Sequence, residues 1–244
     1  MLSLEWLPLA WLRTGMVALT LYVFFPRLPL TFNKVASKLK LSQLHVYYAM
    51  IAFWEFVTVA VLFSLLKLSD LPLSALGLRG SFSIEGALYV AVGVVAGACL
   101  YPAVQSLVRA FGYDMFWRRS ADREWFPRTS GYLTAKRGIV SMFFIVVICI
   151  PILEEIIYRG YILTVLLQNL DSVFVAFVLT SLIFASIHCL SGPGFILYIF
   201  LGTFISSFVY WKFGSIYPCI LMHSLNTLIG EIIIPLLEKK GKIG

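Results

Sequence analysis

Two adjacent carboxylates and an arginine stand in the middle of a strongly apolar stretch, GIVSMFFIVVICIPILEEIIYRGYILTVLLQNL, as Glu154, Glu155 and Arg159. In a bilayer each such charge costs roughly 2.5–3.5 kcal/mol at mid-depth. A chain keeps three of them there when they face protein or water, and usually because they work. Helical spacing sorts them. Glu155 and Arg159 are four residues apart, share a face and can pair. Glu154 points about 100° away, so one carboxylate has a built-in partner and the other is left for acid–base chemistry. The alternative is an ion pair that only glues helices together.

Two further groups repeat the theme. The segment FASIHCLSG puts Phe184 and His188 four residues apart on one face. The segment PCILMHSLNTLIGE puts His223, Asn226 and Thr227 at i, i+3 and i+4, again on one face. A lone histidine at a membrane-helix end is commonly an interfacial anchor, and His, Asn and Thr also make interhelical hydrogen bonds.

The elements that carry these residues are long apolar runs. Of 244 residues, 60% are hydrophobic and 13% charged, with mean hydropathy +0.92. A soluble domain carries about 25% charged residues, so an ordinary soluble globule, a fibre and a disordered chain are excluded. The runs predict an all-α polytopic membrane bundle of about seven transmembrane helices, within a range of six to eight. They fall at 5–25, 46–66, 84–107, 139–168, 172–190, 194–211 and 215–236, each near the roughly 20 residues that a bilayer core requires. The expectation is one membrane domain over 1–244, its first span retained. The four cysteines are scattered and predict no disulfide framework.

Net charge is +7. The cations lie in loops, where they orient the chain, and nucleic acid is not an expected partner. Loops 26–45 and 108–138 and the C-terminal tail together hold 14 Lys and Arg on one side, against Lys67, Arg79 and Lys212 on the other. The positive-inside rule puts the long loops in the cytoplasm. Trp117, Trp125 and Phe126 give the second loop the mixed aromatic and basic character of a segment lying on headgroups, the alternative being a solvated loop.

Depth links two of the sites. Glu154 lies 16 residues before Leu170 and His188 lies 18 after it. At 1.5 Å per residue both stand roughly 24–27 Å from the turn near residues 169–171. An antiparallel hairpin therefore brings them to one level, on the side of the basic loop. His223 fits less well, at roughly 15 Å past the turn at 212–215. Glu55 and Glu231 also fall in apolar runs and are assigned no role.

At these residues the sequence resembles the CPBP family, the CAAX-processing and bacteriocin-processing (Abi) intramembrane proteases. The family signature is Glu-Glu-x-x-x-Arg, then Phe-x-x-x-His, then His-x-x-x-Asn or Asp. Here it reads Glu154-Glu155-Ile-Ile-Tyr-Arg159, followed by Gly160, and Phe184-Ala-Ser-Ile-His188. The third motif departs, with Asn226 three residues after His223 and Thr227 at the fourth. Leu76-Gly77-Leu78-Arg79 looks like a short family element ahead of the third span. The resemblance covers about residues 74–235.

It implies a glutamic-type endopeptidase acting on a membrane-associated or lipid-modified peptide or protein. Glu154 is then the general base and His188 positions or co-activates the water. His223 with Asn226 or Thr227 donates to the oxyanion, while Glu155 and Arg159 hold the helix and tune the field, Phe184 belonging to the second motif. That chemistry suits the residue types, because amide hydrolysis needs a base for water and donors for the developing negative oxygen. The resemblance implies no metal, although Glu154, His188 and His223 are also a conceivable zinc set. A bacterial plasma membrane is the expected location, or the endoplasmic reticulum in a eukaryote, with the site toward the cytoplasm. The rival readings are a non-catalytic peptide-binding protein of the bacteriocin-immunity type and a transporter. No paired inverted repeat supports the latter.

Overall fold

Long apolar runs leave helices as the way to satisfy the backbone in lipid, and helices are what form. The computed structural model describes residues 43–68, 72–80, 83–113, 140, 143–188 and 191–234. The expected first span at 5–25, most of the 26–45 loop and most of the basic 108–138 loop lie outside the described residues.

The first described helix, α1, is Gln43–Leu68. A one-turn 3₁₀ helix, Leu73–Leu76, precedes α2, Ile84–Ala110. Ser83 caps α2, its hydroxyl accepting from the Gly86 amide. Residues 143–169 form a single continuous rod, α3. Then come α4, Val173–Ser186, α5, Pro193–Phe213, and α6, Tyr217–Thr227, which continues through a π-helical stretch Leu228–Ile233. Among the described residues there is no strand.

By length and composition α2 and α5 are long and apolar enough to cross a membrane, and Tyr48–Ser64 and α4 are shorter apolar helices. The outer face of α2 exposes Ile84, Leu88, Val92 and Val95. Such a face suits lipid rather than water.

The rod α3 alternates in geometry. It is π-helical over Phe143–Cys149, α-helical over Ile150–Glu155, π-helical over Ile156–Leu163 and α-helical over Thr164–Asn169. Pro151 marks the first change of geometry. Proline has no donor for the preceding turn, and it stands where the wide π turn hands over to the α turn. The two carboxylates occupy the single α-helical turn between the π stretches, which are rare and recur at functional sites.

Close approaches of backbone fix the other helices against α3. A Cβ on Gly160 would stand 2.7 Å from the Leu76 carbonyl oxygen, so only glycine lets the 3₁₀ turn sit against α3. Gly77 takes φ +71° and its carbonyl accepts from the Ile216 amide at 3.0 Å. Arg79 Nε donates to the Gly214 carbonyl at 2.9 Å. The Leu76–Arg79 segment thus buckles α3 to the turn between α5 and α6. Thr164 Oγ1 donates to the Arg159 carbonyl at 3.2 Å, so the Tyr210 hydroxyl, 2.6 Å away, donates to Thr164.

Candidate active site

The α-helical turn of α3 presents Glu154 and Glu155 to the interior, where both are buried. Arg159 Nη1 donates to Glu155 Oε1 at 2.9 Å, the i,i+4 pair read from the spacing. His223 from α6 then engages both carboxylates. Its Nδ1–H donates to the same Glu155 oxygen at 2.9 Å, and its Nε2 lies 3.6 Å from Glu154 Oε2. The imidazole therefore bridges the two acids.

This placement differs from the depth expected for His223, and the reason is the buckle. The α5–α6 turn does not lie level with the turn at Leu170. Ile216 is fully buried and bonded to Gly77, beside Gly160. That level is about 14 Å along α3 from Asn169. Counted from there, Glu154 is six residues back along α3 and His223 is seven residues on along α6, about 9 and 10 Å respectively. The two arrive together.

Phe184 organises the other side. Its ring meets Tyr158 edge-on at 4.6 Å and lies 5.4 Å under the Arg159 guanidinium, a cation–π contact that helps hold the cation in an apolar setting. The same ring lies 6.2 Å from His223 and 5.3 Å from His188. Phe184 thus faces Tyr158 and Arg159, and one turn further along each antiparallel segment come His188 and the Glu pair. Helix α4 ends at Ser186, so His188 sits in the turn beyond it, half-buried. Its Nδ1 lies 3.3 Å from the Phe184 carbonyl. A carbonyl only accepts, so Nδ1 carries the proton, and a neutral ring then has its lone pair on Nε2.

Asn226 packs against α2. A Cβ on Gly97 would meet Asn226 Oδ1 at 2.5 Å, and one on Gly93 would collide with the Met222 sulfur. Small residues on α2 let α6 come close, as is usual between membrane helices. Asn226 and Thr227 are both half-buried on the helix that carries His223.

Glu55 of α1 is a further acid in the core, fully buried, on the face that also carries Thr58, Val59, Leu62 and Leu66 and packs against α3. Its position inside an apolar run was the signal available for it. Among the described residues no three of His, Cys, Asp and Glu gather as a metal-ligand set.

The described residues are all helical, with two helices long and apolar enough to cross a membrane, around a buried acid–imidazole centre. Residues 136–229, which include every residue of that centre, match the family model for type II CAAX prenyl endopeptidase Rce1-like proteins. This segment is thus similar to Rce1-like domains, in keeping with the motif resemblance. No curated protein matches the chain. No solved structure matches it either.

Proposed function

We propose that the protein is an intramembrane endopeptidase of the glutamic type. It hydrolyses a peptide bond in a membrane-associated or lipid-modified substrate with a water activated by Glu154. The observation that carries this reading is the Glu155–His223–Glu154 contact chain, with its 2.9 Å and 3.6 Å separations, beside the Arg159 guanidinium. The similarity of residues 136–229 to Rce1-like endopeptidases supports the reaction class.

Two carboxylates against one guanidinium leave a net negative charge in a setting that penalises it. One proton held between His223 Nε2 and Glu154 Oε2 makes the set neutral. With that proton on His223, Glu154 is the base. A water between Glu154 and the His188 Nε2 lone pair gives its proton to Glu154 and attacks the carbonyl carbon. The His223 Nε2–H and the Asn226 amide donate to the oxygen that becomes negative. Glu154 then passes its proton to the leaving amine as the C–N bond breaks. Glu155 acts through His223, fixing its tautomer and angle much as a triad carboxylate orients its histidine. Arg159 holds Glu155 in turn.

The whole chain is read as a single membrane domain with its core at about 74–235. The Lys and Arg asymmetry of the loops supports a cytoplasm-facing site, with a bacterial plasma membrane as the setting. The test is mass spectrometry of N- and C-terminal peptides from cells carrying the wild type or Glu154→Gln. A shortened terminus found only with the wild type is expected, and it would give the substrate and scissile bond together. Identical terminal peptides in both cells would contradict the reading.

A further inference from the structure

Phe184 can neither take nor give a proton, yet its ring touches several members of the catalytic centre. It is buried, at 4% exposure. The Arg159 guanidinium lies over the ring, 5.4 Å from its centroid. The His188 ring lies 5.3 Å away and the His223 ring 6.2 Å away. Tyr158 closes the set edge-on at 4.6 Å. One side chain of α4 thus meets groups from α3, from α6 and from the turn beyond its own helix.

The contact with Arg159 is electrostatic. The guanidinium is buried, and its Nη1 donates to Glu155 Oε1 at 2.9 Å. Its Nε is buried without a hydrogen-bond partner among the described residues. A ring face attracts a cation most strongly where water is excluded. What holds Arg159 also holds Glu155, whose Oε1 accepts from His223 Nδ1–H at 2.9 Å. His223 Nε2 in turn lies 3.6 Å from Glu154 Oε2. An unbroken line of contacts therefore runs from the ring through guanidinium, carboxylate and imidazole to the base.

The contact with His188 is one of shape. His188 lies beyond the end of α4, and its Nδ1 is 3.3 Å from the Phe184 carbonyl. Its ring rests against the Phe184 ring, with Phe195 5.7 Å away. Backbone and side chain of the same residue orient it.

We propose that Phe184 is a positioning residue of the peptidase. The negative face of its ring holds Arg159, and through it Glu155 and His223, in the geometry that the reaction uses. Its bulk sets the angle of His188. The proposal rests on the peptidase reading of the Glu154 centre. The competing account is a plain apolar plug, for which the electrons of the ring are irrelevant.

Fluorine drains the negative face of a phenyl ring and changes its size little. The experiment places mono-, di- and trifluorophenylalanine at position 184 of the full chain, in one detergent–lipid mixture. It reads cleavage of a fluorogenic prenylated peptide and thermal unfolding side by side. Activity is expected to fall with each fluorine, kcat dropping at least about tenfold at three while KM stays within about twofold. The unfolding midpoint should fall by about 2–8 °C over the same series. In the Arg159→Met, Glu155→Gln double variant the three fluorines should move the midpoint by less than about 1 °C, because their partner is gone. Phe184→Leu should lower kcat at least as far as the trifluoro ring, since His188 also loses its support.

A kcat that stays at the wild-type value across the fluorine series overturns the proposal, whatever the midpoint does, and leaves Phe184 as packing. A midpoint lowered equally with and without Arg159 overturns it too, because the effect would not pass through the guanidinium. Glu154→Ala in the same assay separates the two claims. Cleavage by that variant at the wild-type rate sinks the peptidase reading. An inactive Glu154→Ala beside an indifferent fluorine series sinks only the role of Phe184.

Discussion

Arg159→Met attacks the charge balance on which the centre depends. Glu155 is fully buried, and its Oε1 accepts from Arg159 and His223 at 2.9 Å each. Removing the guanidinium leaves a carboxylate in the interior with one donor. Breaking a buried pair from one side costs about 3–5 kcal/mol. Glu155→Gln strands Arg159 and should cost a similar amount. The double variant removes both charges, yet its amide oxygen still accepts from His223 Nδ1–H. It should therefore lose less than either single variant, with a coupling of at least about 2 kcal/mol. For a chain of this size one kcal/mol moves the midpoint by about 2–4 °C. Each single variant should then melt about 6–20 °C below wild type, and the double variant within about 5 °C of it. The assay is thermal unfolding of the purified protein in detergent, followed by tryptophan fluorescence. Losses that simply add in the double variant would refute the argument.

Three further perturbations follow from close contacts in the bundle. Gly160→Val places a side chain against the Leu76 carbonyl, which a bare Cβ already meets at 2.7 Å; overpacking of this kind costs about 1–3 kcal/mol, read as a lowered unfolding midpoint. Gly97→Ala pushes on the Asn226 amide at 2.5 Å; if that amide donates to the oxyanion, kcat should fall about 10²–10³-fold, with KM and the unfolding midpoint changed much less. Tyr210→Phe removes the 2.6 Å donation to Thr164 and should cost about 1 kcal/mol by the same unfolding assay, leaving the cleavage rate near wild type.

Much of the framework is written in local chemistry. The apolar runs predicted at 84–107, 172–190 and 194–211 appear as Ile84–Ala110, Val173–Ser186 and Pro193–Phe213. Their ends carry ordinary signals, with Ser83 and Ser172 as N-caps and Gly214 in the left-handed region as a stop. The Glu155–Arg159 pair follows from helical spacing alone. The Phe184 ring against Tyr158 reflects hairpin arithmetic.

Other features depend on tertiary contacts that no local pattern carries. The depth of His223 is set by the Ile216–Gly77 bond and by the Gly160–Leu76 approach, which join segments far apart in the chain. Counting residues from a turn presumed to lie at the membrane face cannot find it. The π geometry either side of Ile150–Glu155 is similarly hidden, because the same apolar residues suit an α turn equally well. Glu154, read as the carboxylate without a partner, instead faces His223 Nε2. Gly93 and Gly97 become meaningful only once Met222 and Asn226 are seen to press on them.

The most direct measurement is the cleavage rate of an identified substrate by purified wild type, Glu154→Ala and His188→Ala in the same lipid. Water activation by an acid and an imidazole predicts that each substitution lowers kcat at least 10²-fold, with the unfolding midpoint close to wild type. Cleavage at the wild-type rate by both variants would contradict it.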